Sequence, residues 1–116
     1  MKEFVMIFRS EPAMESQLSP AEMQQQTEGW KNWLGSLAAQ NKLGSTCTRL
    51  GFEGKAVKPQ NLVINGPYVE IKEMVGGFIT VLAESIDEAA AIAKGCPMVI
   101  GGVGMVEVRD IMPMNN

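Results

Sequence analysis

The sequence contains no histidine. That removes Ser-His-Asp and Cys-His nucleophile systems, the usual zinc sites and the commonest general base at neutral pH. Acid–base chemistry, if there is any, falls to Asp, Glu, Lys, Tyr or Cys. Cysteine is scarce too. Cys47 and Cys96 lie far apart in the chain, and with no export signal a disulfide is not expected. There is no surplus of basic charge: ten Lys and Arg stand against thirteen Asp and Glu, a net charge of −3. That balance argues against nucleic acid and anionic membrane as partners. Long apolar runs are missing as well. The N-terminal run Phe4–Phe8 spans five residues and stops at Arg9, too short for a signal peptide or a membrane span, so a cytoplasmic location is expected. Carboxylates do not cluster at ligand spacings, so no metal is expected. Gly76-Gly77 lacks the G-x-G-x-x-G spacing of a dinucleotide site, and no other cofactor is implied.

What is present suits one packed domain over residues 1–116. Hydrophobic residues make up 46 % of the chain, enough for a single core. Lys2 to Arg9 reads as a central strand with two apolar faces, Phe4/Met6/Phe8 and Val5/Ile7. Ser10 to Leu18 reads as a loop around Pro12. Ser19-Pro20-Ala21-Glu22 is a helix start with a capping box and a proline at the first helical position. Met23, Thr27, Trp30, Leu34, Leu37 and Ala38 form the expected buried stripe, with Trp33 at its flank. Lys42-Leu43-Gly44 is the expected stop. Weaker extended segments follow at Ser45–Gly54, Ala56-Val57 and Leu62–Ile64. Gly77 to Ala83 is a clear strand. Ser85-Ile86-Asp87-Glu88 is a second capping box, opening a helix with a stripe of Ile86, Ala89, Ala90 and Ala93 that ends at Gly95-Cys96-Pro97. Val103 to Ile111 supplies the last strand.

Two βαβ halves with right-handed crossovers place both helices on one face of an antiparallel sheet. The expected fold is therefore an α+β, ferredoxin-like sandwich. Two helices cover one sheet face, yet the first and third main strands are apolar on both. A second copy, sheet facing sheet, is the expected cover, so a homodimer is predicted.

The segment Asn65 to Phe78, N-G-P-Y-V-E-I-K-E-M-V-G-G-F, concentrates a turn, charges, a tyrosine and a glycine pair just before an apolar strand. If Pro67–Lys72 is extended, Tyr68, Glu70 and Lys72 share one side. Glu70 is the candidate general acid or base; the competing reading has it accept backbone hydrogen bonds and hold the turn. Tyr68, Lys72 and Asn65 are candidate substrate contacts, although Asn65-Gly66 also reads as a plain turn. Gly76-Gly77 reads as a bulge or the start of a strand. Arg9 is placed to clamp a carboxylate or to pair with Glu11 or Glu107; Arg49 and Arg109 are weaker candidates. Cys47 reads as a small buried residue. Cys96, placed after a helix C-terminus, reads as unreactive.

This segment resembles the signature of the YCII-related, DGPF-domain family, which shows D-G-P-F, then E, K-E and G-G before an aromatic. M-I-F-R at the start, S-P-A-E-M-Q and W-K-N-W-L in the first helix, D-E-A-A-A-I-A-K-G-C-P in the second and V-E-V-R in the last strand extend the likeness over nearly the whole chain. The resemblance implies a dimeric α+β barrel. It also implies a domain that binds a small polar or carboxylated molecule, with conversion of that molecule as a candidate activity. A non-catalytic, ligand-sensing or regulatory interaction module is the alternative. The chain departs from the pattern at Asn65, where the family has Asp, and at Tyr68, where it has Phe. The His–Asp pair proposed as catalytic in the YCII branch has no counterpart here.

Overall fold

The computed structural model describes residues 1–10, 18–51, 53–66 and 74–114. Its main sheet has four antiparallel strands in the order β2-β5-β1-β6: β1 is Lys2–Ser10, β2 Leu43–Arg49, β5 Met74–Ala83 and β6 Gly104–Asp110. Helix α1 (Pro20–Ala39) connects β1 to β2, and α2 (Ile86–Ala93) with a short α3 (Pro97–Ile100) connects β5 to β6. Between β2 and β5 the chain makes a separate two-stranded ribbon, β3 (Lys55–Lys58) against β4 (Leu62–Asn65). The fold is the ferredoxin-like α+β sandwich, with β1 and β5 in the centre of the sheet.

The core lies between the sheet and the helices. Phe4, Met6 and Phe8 of β1 and Ile79, Val81 and Ala83 of β5 point into it, joined by Leu37, Ala89, Ala93, Cys96 and Met98. Burying a large apolar side chain is worth about 1.5–3 kcal/mol, so β1 and β5 hold much of the fold's stability. Phe8 meets Trp30 edge-to-face at 4.9 Å between ring centroids and Trp33 at 6.2 Å, and the two tryptophans meet at 5.6 Å. Such pairs add about 0.5–1.5 kcal/mol beyond area. These rings pin α1 to β1.

They also rotate the helix away from the expected stripe. Met23, Thr27 and Ala38 are exposed, while Gln26, Gly29, Trp30, Trp33, Leu34 and Leu37 face inward. Trp33 belongs to the contact because it packs on Phe8, a tertiary preference that periodicity alone does not weigh. The capping box at Ser19 and Glu22 forms with both hydrogen bonds at 3.1 Å. The stop differs. Asn41 takes the left-handed conformation (φ 57°), with Asn41 N–H donating to the Ala38 carbonyl and Lys42 N–H to that of Leu37. This Schellman closure ends α1 before Lys42, and Asn tolerates it without glycine. At α2 only half of the second box forms. Ser85 accepts from Glu88 N–H at 3.1 Å, but the Glu88 carboxylate accepts from Glu84 N–H at 3.4 Å. Ile86 and Ala90 are exposed, and Ile92 takes their place beside Ala89 and Ala93. Pro97 stops α2 and also starts α3, whose first helical position it occupies.

Two irregularities shape the sheet. Gly76 is the extra residue between the pairs Phe8–Gly77 and Arg9–Val75, so the glycine pair marks a bulge, as expected. A second shift separates Leu43 and Cys47 in β2. There Thr80 Oγ accepts from Thr46 N–H at 3.0 Å, filling the gap that the bulge opens. Gly44 lies directly beneath it: a Cβ there would stand 2.3 Å from Thr80 Oγ and 2.8 Å from the Thr80 carbonyl. Gly44 is therefore a strand residue required by close approach rather than a helix stop.

Thr80→Val leaves the Thr46 N–H without its partner and should lower stability by about 1–3 kcal/mol; Gly44→Ala, which clashes with the same hydroxyl, should cost a similar amount. Urea unfolding followed by tryptophan fluorescence checks both. In the Gly44→Ala/Thr80→Ala double variant, the loss should be smaller than the sum of the two single losses, because removing the hydroxyl takes away its clash with the new Cβ.

Candidate functional site

The helices leave the second sheet face open. Residues directly opposite one another in a ladder share a face, so the pairs Val5–Thr80, Ile7–Phe78, Glu3–Leu82, Val5–Arg109, Ile7–Glu107 and Arg9–Met105 define it. Val5, Ile7, Phe78 and Leu82 are half-buried and form an apolar centre. Along β6 the face becomes charged. Arg9 Nε donates to Glu107 Oε1 at 3.1 Å, a diagonal contact from β1 to β6, and Arg109 Nη1 reaches Glu107 Oε2 at 3.5 Å. Two guanidiniums share one carboxylate at this end of the face, while Glu3 stands at the other. The Arg9 side chain retains 30 % exposure, and its terminal nitrogens have no hydrogen-bond partner among the described residues.

Arg9 stands near one end of β1, where Ser10 pairs with Met74. Met74 belongs to the Asn65–Phe78 segment and opens β5, so the end of β1 carrying Arg9 is also the end at which that segment enters the sheet. Tyr68, Glu70 and Lys72 lie outside the described residues. Asn65 is the last residue of β4, paired with Lys55 and exposed. The positive φ belongs to Gly66 (84°) and not to Asn65, so the turn rests on the glycine. No hydrogen bond links Asn65 to Arg9 among the described residues. Arg49 is exposed on edge strand β2.

A groove of about 430 Å³ lies on the helical side, between α1 and the α2–α3 connection. Glu22 is the carboxylate in its lining, and it is committed to the helix cap. Hydrogen bonds from the Ser19 backbone and side chain hold its pKa below the ordinary carboxylate value. That makes it a poor proton donor at neutral pH, and Gln26 spends its amide on the Pro97 carbonyl at 3.2 Å. The groove is shaped for packing rather than acid–base work. Sequence reasoning missed it because it depends on α3, for which Pro97 was the available signal. Among the described residues, no group of His, Cys, Asp or Glu could hold a metal ion, and no helix is long and apolar enough to cross a membrane.

The cysteines reverse part of the expectation. Cys47 is exposed, not buried, although it pairs with core-facing Ile79: it sits on an edge strand, beyond the reach of the core cluster. Cys96 is fully buried. It precedes the first turn of α3 rather than only following α2, so the helix-terminus argument for its inertness fails. Burial supplies the reason instead, pushing the thiol pKa up against hydrogen bonds from the Met98 and Val99 backbone that act the other way.

Against this geometry, the family model for the YCII-related domain matches residues 3–115. The chain belongs to the YCII-related family. No curated protein matches this YCII-related chain. Among solved structures it is similar to 5-chloro-2-hydroxyhydroquinone dehydrochlorinase from Burkholderia phenoliruptrix AC1100, in complex with 2,5-dihydroxybenzoquinone. The identity is 18 %, the TM-score 0.49, and the match covers 94 % of this chain and 93 % of that one. A likeness that distant transfers neither substrate nor chemistry.

The two thiols should separate in a labelling experiment. In native protein at pH 8, a thiol reagent such as DTNB should modify Cys47 within minutes and leave Cys96 untouched until denaturant is added. Reaction of both at equal rates would contradict the burial of Cys96.

Proposed function

We propose that this YCII-related chain is a homodimeric domain that binds a small carboxylated or otherwise anionic molecule at the Arg9 end of the open sheet face. The observation that carries this reading is the Arg9–Glu107–Arg109 line: Glu107 holds Arg9 through Nε, and among the described residues the terminal nitrogens bond to nothing else. The signature segment joins the sheet at the same end, which supports Tyr68, Lys72 and Asn65 as further contacts to the molecule. In the catalytic version of this reading Glu70 acts as the general acid or base, with Arg9 and Tyr68 as positioning contacts and no metal. The absence of histidine leaves Asp, Glu, Lys, Tyr and Cys for proton transfer, and Glu70 is the one this reading selects. Second-copy binding is supported by the apolar centre of the open face, for which the described part of the chain provides no helix. One observation favours the alternative, a non-catalytic sensing or regulatory module: the guanidinium already has a carboxylate partner within its own sheet.

A thermal-shift screen against carboxylated metabolites, run on wild type, Arg9→Gln and Glu70→Gln, tests the proposal. A true ligand at about a hundred times its Kd should raise the wild-type Tm by at least about 4 °C and leave Arg9→Gln nearly unmoved. A ligand that still stabilises Glu70→Gln but is no longer consumed marks Glu70 as catalytic. Equal shifts for wild type and Arg9→Gln would remove Arg9 from the site, and no anionic hit for wild type would leave the regulatory reading in its place.

A further inference from the structure

Asn65-Gly66 is the one Asn-Gly pair in the chain. Asn32, Asn41, Asn61 and Asn115 are followed by Trp, Lys, Leu and Asn. The distinction is chemical. The side-chain amide carbon of an asparagine is an electrophile, and the main-chain nitrogen of the next residue can close a five-membered ring on it. A β-carbon on that next residue crowds the approach, and glycine has none.

The fold keeps this pair accessible. Asn65 is exposed and is the last residue of β4, and Gly66 follows it as a bend outside the ladder. Gly66 has φ 84°, in a region that glycine enters without steric cost. A Cβ added there would meet no described atom within 4 Å, so the space beside the attacking residue is open among the described residues. Asn65 also closes the β3–β4 ladder, with Lys55 opposite. Residues at a ladder's end open at lower cost than those in core strands, so the rotation that ring closure requires is less restrained here than in β1 or β5. Directly opposite residues share a face, and a carboxylate at position 65 would stand across from the Lys55 ammonium, an attractive cross-strand pair.

We propose that Asn65 is a self-modification site, at which the folded chain loses the side-chain amide to attack by the Gly66 nitrogen and acquires a carboxylate. Gly66 N–H gives its proton to solvent, and its nitrogen bonds to Asn65 Cγ. The Cγ–Nδ2 bond breaks, and the amide nitrogen takes a proton from solvent and leaves as ammonia. The cyclic imide then takes up one water. Addition at Cγ breaks the new Cγ–N bond and gives aspartate. Addition at the main-chain carbonyl breaks the original C–N bond and gives isoaspartate. Water is the co-reactant, ammonia the leaving group, and nothing is oxidised or reduced. The net charge falls one unit below the −3 of the unmodified chain. Aspartate leaves the main chain as it was and completes the D-G-P opening of the family pattern. Isoaspartate instead inserts a methylene into the main chain at the start of the signature segment. The proposal is independent of the anionic site, although Asn65 is one of that site's candidate contacts.

Peptide mapping of native protein held at 37 °C and pH 8 tests the proposal. Trypsin releases residues 56–72, since Pro59 protects the Lys58 bond, and Asn61-Leu62 in the same peptide is an internal control. Over days the peptide should gain about 1 Da and give two new chromatographic forms, one co-eluting with the same peptide from Asn65→Asp. Fragment ions should place the change on Asn65, at a rate at least about tenfold above that of Asn61. Gly66→Ala should slow it by a similar factor, at least about tenfold. The same time course in urea gives the rate of the unfolded chain without any variant. Asn65 intact in native protein would overturn the proposal, and its reaction in urea would then show that the fold protects it. Equal rates at Asn61 and Asn65, or in wild type and Gly66→Ala, would overturn the route through the Gly66 nitrogen.

Discussion

Two helices cannot cover both faces of a four-stranded sheet, and the two central strands of this sheet are apolar on both. Most of the structure follows from that constraint. On the covered side, Phe4, Met6 and Phe8 alternate with Val5 and Ile7 on the other, so the strand that anchors the core also carries an apolar surface away from it. The covered side is finished by aromatic packing of Phe8 with Trp30 and Trp33 and by the small residues Ala89 and Ala93, which let α2 lie close to the sheet. The open side is apolar in the middle and charged along β6. A second molecule meeting it would therefore find a hydrophobic centre with a polar margin, the anatomy common to protein interfaces.

Much of the fold was legible in the sequence because its signals were local. The Ser19–Glu22 capping box, the proline at the first helical position and the period-2 strands β1 and β5 each specify an element without help from distant residues. The misassignments came where a distant contact decided the outcome. The face of α1 is set by Phe8 on another strand, which draws Trp33 inward and leaves Met23 and Thr27 exposed. Gly44 resembled a helix stop, but its need for glycine comes from Thr80, far along the chain. The helix closed instead on Asn41, a residue that reaches the left-handed region at modest cost. Cys47 read as a small buried residue of a strand, and it faces the core side beside Ile79, but its place on the edge strand β2 leaves it exposed.

The candidate site was legible only in outline. Arg9 could be singled out as a charge ending an apolar strand, and Glu107 as one of its available partners. That Glu107 also reaches Arg109 follows from β6 pairing with β1 in one register, which places residues 98 positions apart within hydrogen-bonding distance. No local pattern encodes that pairing. The signature segment carries a different kind of information. The family model spans residues 3–115, but family membership does not specify a reaction, and the absence of histidine narrows the available acid–base chemistry to carboxylate, amine, phenol and thiol groups.

The open face and the anionic site bear on one another. In the proposed dimer, the apolar centre around Ile7 and Phe78 leaves water first, and the Arg9–Glu107–Arg109 line sits at its margin. Removing water lowers the local dielectric and strengthens each charge interaction there. An isolated arginine at such a margin would pay a heavy desolvation cost, whereas one already bonded to Glu107 through Nε loses less. The ion pair therefore has a use beyond stabilising the β1–β6 ladder, where an exposed pair is worth little. In the proposed site it would hold the Arg9 guanidinium through Nε at the edge of an apolar contact. Under that proposal, carboxylate binding and dimer closure would favour each other, since each would partly neutralise or shield what the other must desolvate.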